Sequence, residues 1–217
     1  MVKRMKVLHL LYSNSFSGAE NVVCQIINMM KDEDIEMAYC SRDGQIREAL
    51  KERNIEFYPI KKLSVNEVRR VISIYRPDII HAHDMHASFI ASLACRKITF
   101  VSHIHNNAFD SRTINIKSVA YAVAAMNAKC IFWVSRSAFN EYKFHNCFKK
   151  KSRVLYNIID INQLYEKMEM DTAEYGCDVI YIGRLTFEKN PQRLIKVLKL
   201  AIKIKPDLTA AIVGTGE

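Results

Sequence analysis

Val179-Ile180-Tyr181-Ile182-Gly183-Arg184-Leu185, followed by Lys189-Asn190-Pro191, sets a short apolar run against a glycine, two cations and a helical pattern over 191–203. An apolar run that turns into a helix reads as one β-α step of an α/β sheet. The helix start is expected to present unpaired N–H groups and the positive end of the helix dipole, which suits an anion. Arg184 and Lys189 add full charges there, and a guanidinium grips two oxygens at once. Two cations at a helix start are disfavoured by the dipole unless an anion is bound. The stretch therefore reads as a phosphate site rather than as ordinary surface charge.

Outward from this step the same alternation continues. Candidate strands lie at 7–12, 36–40, 56–60, 79–82, 99–104, 130–134 and 153–155, with helical patterns at 19–30, 46–53, 66–75, 86–95, 116–127 and 136–144. Several of the strands are continuously apolar, as expected when both faces of a parallel sheet are covered. Acidic and polar residues become frequent from 157 to 176, which reads as a connector, and a new unit follows with strands at 178–182 and 209–213. One strand-helix-strand unit cannot bury both faces of its strands. The expected organisation is an α/β chain: a Rossmann-like domain over 1–160, a connector over 161–176 and the start of a second, incomplete Rossmann-like domain over 177–217.

The 217 residues carry a formal charge of +9, 49% of them are hydrophobic and 6 are cysteines. No apolar run approaches the ~20 residues needed to span a bilayer. The basic start at 1–7 runs directly into a strand pattern without a small-residue cleavage site, so a signal peptide is not expected. The cysteines are scattered and form no C-x-x-C pair, which points to a reducing, cytoplasmic compartment without disulfides or structural zinc. The positive charge suits an anionic partner such as a nucleotide or acidic lipid headgroups. No basic-aromatic repeat is present to stack bases, so nucleic acid is not an expected partner.

The ordered motifs resemble one family. Ser17-Gly18-Ala19-Glu20 is similar to its glycine-containing first loop, and Arg76-Pro77-Asp78-Ile79-Ile80-His81-Ala82-His83 to its fourth-strand signature. His103-Ile104-His105-Asn106 resembles the strand end that carries its active-site histidine. Trp133-Val134-Ser135-Arg136-Ser137 and Leu155-Tyr156-Asn157-Ile158-Ile159-Asp160 resemble the end of its first domain. Ile182-Gly183-Arg184-Leu185 with Lys189-Asn190 resembles its donor-phosphate motif. The chain is thus similar to the retaining nucleotide-sugar transferases of GT-B architecture grouped as glycosyltransferase family 4. It departs from their pattern in having one glycine in the first loop, no glycine after Asn157, and no acidic E-x7-E element after the donor-phosphate motif.

The resemblance implies a reaction that expels a nucleoside diphosphate, with fixed cations meeting the growing charge and no metal or other cofactor required. It assigns Arg184, Lys189 and Gly18 to the donor phosphates. His105 and His103 become the catalytic pair, with His105 the better match to the family histidine, while Asn106, Glu20 and His83 are placed on sugar or acceptor. The implied partners are a nucleotide-sugar donor and a glycan or lipid-linked acceptor, with peripheral membrane contact at the inner face of the membrane through the apolar 116–127 helix, a pattern that core packing more commonly explains. With the donor half incomplete, this form is expected to be weak or inactive.

The residues leave other readings open. Ser17 through Glu20 also reads as an ordinary capped helix start. His103 and His105 also read as structural histidines held by backbone, and Asn106 and Asn107 as a turn. His81-Ala82-His83-Asp84-Met85-His86 is close to a metallohydrolase ligand set, with its aspartate one place from the usual position. A noncatalytic module completed by another chain is the remaining alternative.

Overall fold

The fold is described by a computed structural model covering residues 4–95, 97–106 and 109–216. The chain divides into two compact units, Met1–Asp160 and Ile161–Glu217.

In the first unit, β1 (Met5–Leu11), β2 (Ile35–Arg42), β3 (Phe57–Ile60), β4 (Ile79–His83), β5 (Thr99–Ile104), β6 (Cys130–Trp133) and β7 (Ser152–Val154) form one sheet in the order β3-β2-β1-β4-β5-β6-β7. Every neighbouring pair is parallel. The expected Rossmann-like α/β fold is what the chain adopts. The connecting helices are α1 (Gly18–Met29), α2 (Ile46–Glu52), α3 (Val65–Tyr75), α4 (Met85–Ala94), α5 (Ile116–Asn127), α6 (Arg136–Glu141) and α7 (His145–Phe148). The stretch whose sequence pattern reads as one helix over 136–144 holds α6 alone, which stops at Glu141, and α7 lies beyond it.

Strand alternation sorts the core into two layers. Leu8, Leu10, Ala38, Ile80, Ala82, Phe100 and Ile104 pack with residues of α3, α4 and α5. On the opposite face Leu11 and Tyr39 pack with Val23, Cys24 and Ile27 of α1 and Ile46 and Leu50 of α2. Val7 through Leu11 are all buried, the pattern of a central strand covered on both sides. A directed hydrogen-bond chain ties α5 to α4 across β5. Ser88 Oγ donates to the Asp84 carbonyl at 2.6 Å, so it accepts from Ser102 Oγ at 2.8 Å, which in turn accepts from the Tyr121 hydroxyl at 2.9 Å.

Helix α5 has two unlike sides. Ser118, Tyr121, Ala124 and Ala125 are buried, whereas Ile116, Val119, Val123 and Met126 are exposed. Among the described residues no helix is long and apolar enough to cross a membrane.

The second unit holds α8 (Ile161–Met170), β8 (Val179–Ile182), α9 (Pro191–Ile204) and β9 (Ala210–Val213), with β8 and β9 paired in parallel. Helix α8 falls in the stretch read from sequence as a connector. Where burial is described, no residue from 161 to 216 is buried. Ile180, Ile182, Ile195, Val197, Leu200 and Ile204 all remain exposed.

Candidate functional site

In an open parallel sheet, ligands bind beyond the carboxyl ends of the strands where the strand order reverses. Here the reversal lies between β1 and β4, adjacent strands from which the order runs outward in opposite directions. Tyr12 follows β1, Asp84 follows β4 and Asn106 follows β5. With Phe89 of α4 and Lys117 and Tyr121 of α5 they line a cavity of about 480 Å³, within the usual range for small-molecule sites.

Asp84 organises this corner. Its φ of 93° lies in the left-handed region that non-glycine residues avoid. Its N–H donates to the His103 carbonyl at 2.9 Å, and its carboxylate accepts the Ala87 N–H at 2.7 Å as the N-cap of α4. Burial pushes its carboxyl up to about 6, against the lowering effect of backbone N–H groups from Ala87, His86 and Tyr12. The strained backbone thus binds the ends of β4 and β5 together while starting α4.

Beside this corner, on the opposite face of the sheet, five histidines gather. The register sets His9 against His81 and His83 against His103, so alternation turns these side chains to the face opposite Leu8, Ile80 and Ser102. His105, two residues past His103, joins them. His83 links to both neighbours, its Nε2 lying 2.9 Å from His9 Nδ1 and its Nδ1 lying 2.8 Å from His105 Nε2. The rings of His103 and His105 are 4.0 Å apart, and those of His81 and His83 4.2 Å apart.

Burial holds all five rings neutral. It lowers His9 to about 3, with repulsion from His103 adding to the effect. It lowers His103 to about 2, helped by His105 and His81, and His105 to about 4. His81 and His83 fall well below the ordinary histidine value for the same first reason. Neutral imidazoles donate and accept hydrogen bonds and ligate metal ions, but they do not supply positive charge for a pyrophosphate. Two triplets bring one ligand atom per ring within 4.8 Å of one another: His9 with His81 and His83, and His83 with His103 and His105. Neither contains Asp84 or His86, so the metallohydrolase spacing does not assemble as its sequence suggested. Asp84 is spent on capping α4, and His86 is exposed with its ring 4.9 Å from that of Tyr12.

The remaining sequence candidates fall as follows. Gly18 is the first residue of α1, and a Cβ built on it would meet nothing within 4 Å. Glu20 is 4% exposed, and its carboxylate accepts the Ser17 N–H at 3.1 Å and the Ser17 hydroxyl. That is the capping-box arrangement, and it occupies the acid within α1. His83 is 1% exposed, reaching the strand end through His105. Asn106 is exposed on the cavity wall, and Asn107 lies outside the described residues.

Arg184 and Lys189 belong to the second unit and are exposed. A 3-10 turn, Phe187–Lys189, separates Arg184 from α9. The expectation of free N–H groups at this helix start needs correcting. Pro191, the first helical residue, has no N–H, and the Arg193 N–H is taken by the Asn190 side chain at 3.1 Å. Any anion here is met mainly by the two side-chain charges.

His9, Tyr12 and Lys117 escape a sequence reading, although His9 leaves one signal, a polar ring inside an apolar strand. Asp84 stands out in sequence for metal chemistry rather than for its backbone.

The model of Glycosyltransferase Family 4 matches residues 16–163. This chain, with its seven-stranded parallel sheet, belongs to that family. No sequence among the curated proteins matches it. Among solved structures, Anabaena Alr3699/HepE in complex with UDP superposes with a TM-score of 0.79 at 20% identity, covering 98% of this chain and 62% of that one. The UDP-GlcNAc 2-epimerase from Neisseria meningitidis bound to UDP-GlcNAc gives 0.67 at 18% identity, covering 96% and 65%. The lipopolysaccharide outer core galactosyltransferase WaaB gives 0.61 at 18% identity, covering 84% and 54%. The chain therefore spans under two thirds of the length of these structures, and the likeness is one of fold.

Proposed function

We propose that this chain is the acceptor-side lobe, with the opening part of the donor lobe, of an enzyme that transfers a sugar from a nucleoside-diphosphate sugar to a glycan or lipid-linked saccharide. The observation that carries this reading is the family match over residues 16–163. The fold alone does not choose the reaction, because an epimerase shares it. In this reading the cavity at the β1–β4 reversal receives the acceptor, with Asn106 and Lys117 on its wall, while His105 offers a neutral ring to a sugar hydroxyl at the strand end. The diphosphate needs positive charge, which the neutral histidines lack. Arg184 and Lys189 supply it and stabilise the departing nucleotide as its charge grows. Transfer with retention, a cytoplasmic setting and a role in polysaccharide assembly complete the proposal. The exposed side of α5 is its membrane-facing surface.

Titration of the chain with UDP- and GDP-sugars tests it. Binding is expected for one base, and Arg184→Ala should weaken it about tenfold or more, since a charged hydrogen bond contributes about 1.5–3 kcal/mol. Equal affinity in Arg184→Ala and in the double variant with Lys189→Ala would overturn the reading. A second reading, a binding module completed by another chain, draws on the absence of buried residues where burial is described in 161–216. Co-purification with a polypeptide that protects this unit would favour it.

A further inference from the structure

We infer that His83, His103 and His105 form a binding site for one borderline divalent transition-metal ion, of which Zn²⁺ is the type, with His9 as the positioning residue behind it. The site is separate from the cations assigned to the donor and does not depend on sugar transfer.

Three observations converge. One ligand atom from each of the three rings lies within 4.8 Å of the other two. Tetrahedral zinc with Zn–N bonds of ~2.05 Å needs nitrogens about 3.3 Å apart, so modest ring rotation closes the triplet. Next, His103 is 1% exposed, yet among the described residues neither of its ring nitrogens has a hydrogen-bond partner, and His105 Nδ1 has none either. Buried polar nitrogens are normally satisfied, and leaving them bare costs free energy that an ion would recover. Finally, the contact to His9 supports the tautomer that ligation requires of His83. His9 Nε2 lies 3.4 Å from Met37 Sδ and His9 Nδ1 lies 2.9 Å from His83 Nε2. With the proton of His83 on Nε2, donated to His9, its Nδ1 lone pair is directed at His105 Nε2, 2.8 Å away. The ion enters by parting this pair, and the His105 proton that joined them moves from Nε2 to Nδ1. A histidine ligand whose other nitrogen is fixed by a hydrogen bond is the usual outer support of a metal site.

The ligand set decides the ion. Three neutral imidazoles without a carboxylate favour Zn²⁺, Ni²⁺ or Cu²⁺ over Mg²⁺ or Ca²⁺, which prefer oxygen. Three ligands leave a fourth position for water or another small donor. His105 is only partly buried and gives the ion a route from the strand end.

The test uses the full chain without a histidine tag, stripped with EDTA and titrated with Zn²⁺ in a calorimeter and with Co²⁺ in a spectrophotometer. One ion per chain is expected, with the intense visible bands of tetrahedral cobalt. His105→Gln, at a partly exposed position where folding is least at risk, should lower Zn²⁺ affinity at least about a hundredfold. His9→Gln should lower it by about 10–100-fold, as outer-contact changes do. His86→Ala, which alters an exposed histidine outside the triplet, should leave affinity within about twofold. Circular dichroism and a melting curve check that each variant is folded. Failure to bind Zn²⁺, weak octahedral cobalt bands, or unchanged affinity in folded His105→Gln would overturn the inference. So would affinity lost in His81→Ala but kept in His103→Asn, which would place the ion in the other triplet.

Discussion

The five clustered rings, three buried and two partly so, make an acid-sensitive element of this protein. Their folded pKa values lie below the ordinary 6.5, down to about 2 for His103, about 3 for His9 and about 4 for His105. Between those values and 6.5 the unfolded chain binds more protons than the folded one, so stability falls as pH drops through that window and is complete above it. Asp84 acts in the opposite sense, since its folded pKa of about 6 exceeds the ordinary 3.8. It is one carboxyl against five imidazoles, and the histidines dominate. Melting temperature measured in EDTA should therefore drop steadily from pH 7 to pH 5, and a flat profile there would contradict the neutral cluster. At this scale sequence was a partial guide. His83, His103 and His105 stood out through motifs at the ends of two apolar strands. That His9 joins them depends on β1 lying beside β4, a pairing of residues 72 apart in register with no local signal.

At the scale of the element, α5 shows how one helix serves two environments. Its buried side is held by the Tyr121 hydroxyl, which starts the hydrogen-bond chain through Ser102 and Ser88 to the strained Asp84. Tyr121→Phe removes that donor without opening a cavity and should cost about 1–1.5 kcal/mol, read from urea unfolding. Ile116→Asp, on the exposed side, should stay within about 0.5 kcal/mol of the parent and so remain folded for a flotation assay with anionic vesicles. Loss of flotation in that variant is the expected result, and undiminished flotation would remove α5 from the membrane proposal. The helix itself was legible, with bounds that match its apolar pattern. Which apolar residues faced inward was not, because Ile116, Val119 and Val123 are as apolar as Ala124. Only packing against α4 and β5 separates them. The other clear departure, α8 in the stretch read as a connector, has the same origin. Ile161, Leu164, Tyr165 and Met168 are helically spaced, but Asn162, Gln163, Glu166 and Lys167 between them mask the pattern.

At the scale of the whole molecule the two units differ in kind. The first encloses a sheet between two helical layers, while the second leaves its apolar strands and much of α9 in contact with solvent. A segment without buried contacts opens at low free-energy cost. Limited proteolysis of the full chain should therefore cut first beyond residue 160 and leave an N-terminal fragment close to Met1–Asp160, identified by mass spectrometry. First cuts inside α3, α4 or β5 would contradict this division.

Sequence by itself determined the alternation of strands and helices, the parallel sheet and the cationic turn at Arg184 and Lys189, because periodicity and turn chemistry are local. Tertiary structure alone decided that β1 sits against β4, that Asp84 bends there into a strained cap, and that five histidines from three strands share one face. Those facts arise from crossovers that join distant segments side by side, and no residue's immediate neighbours along the chain record them.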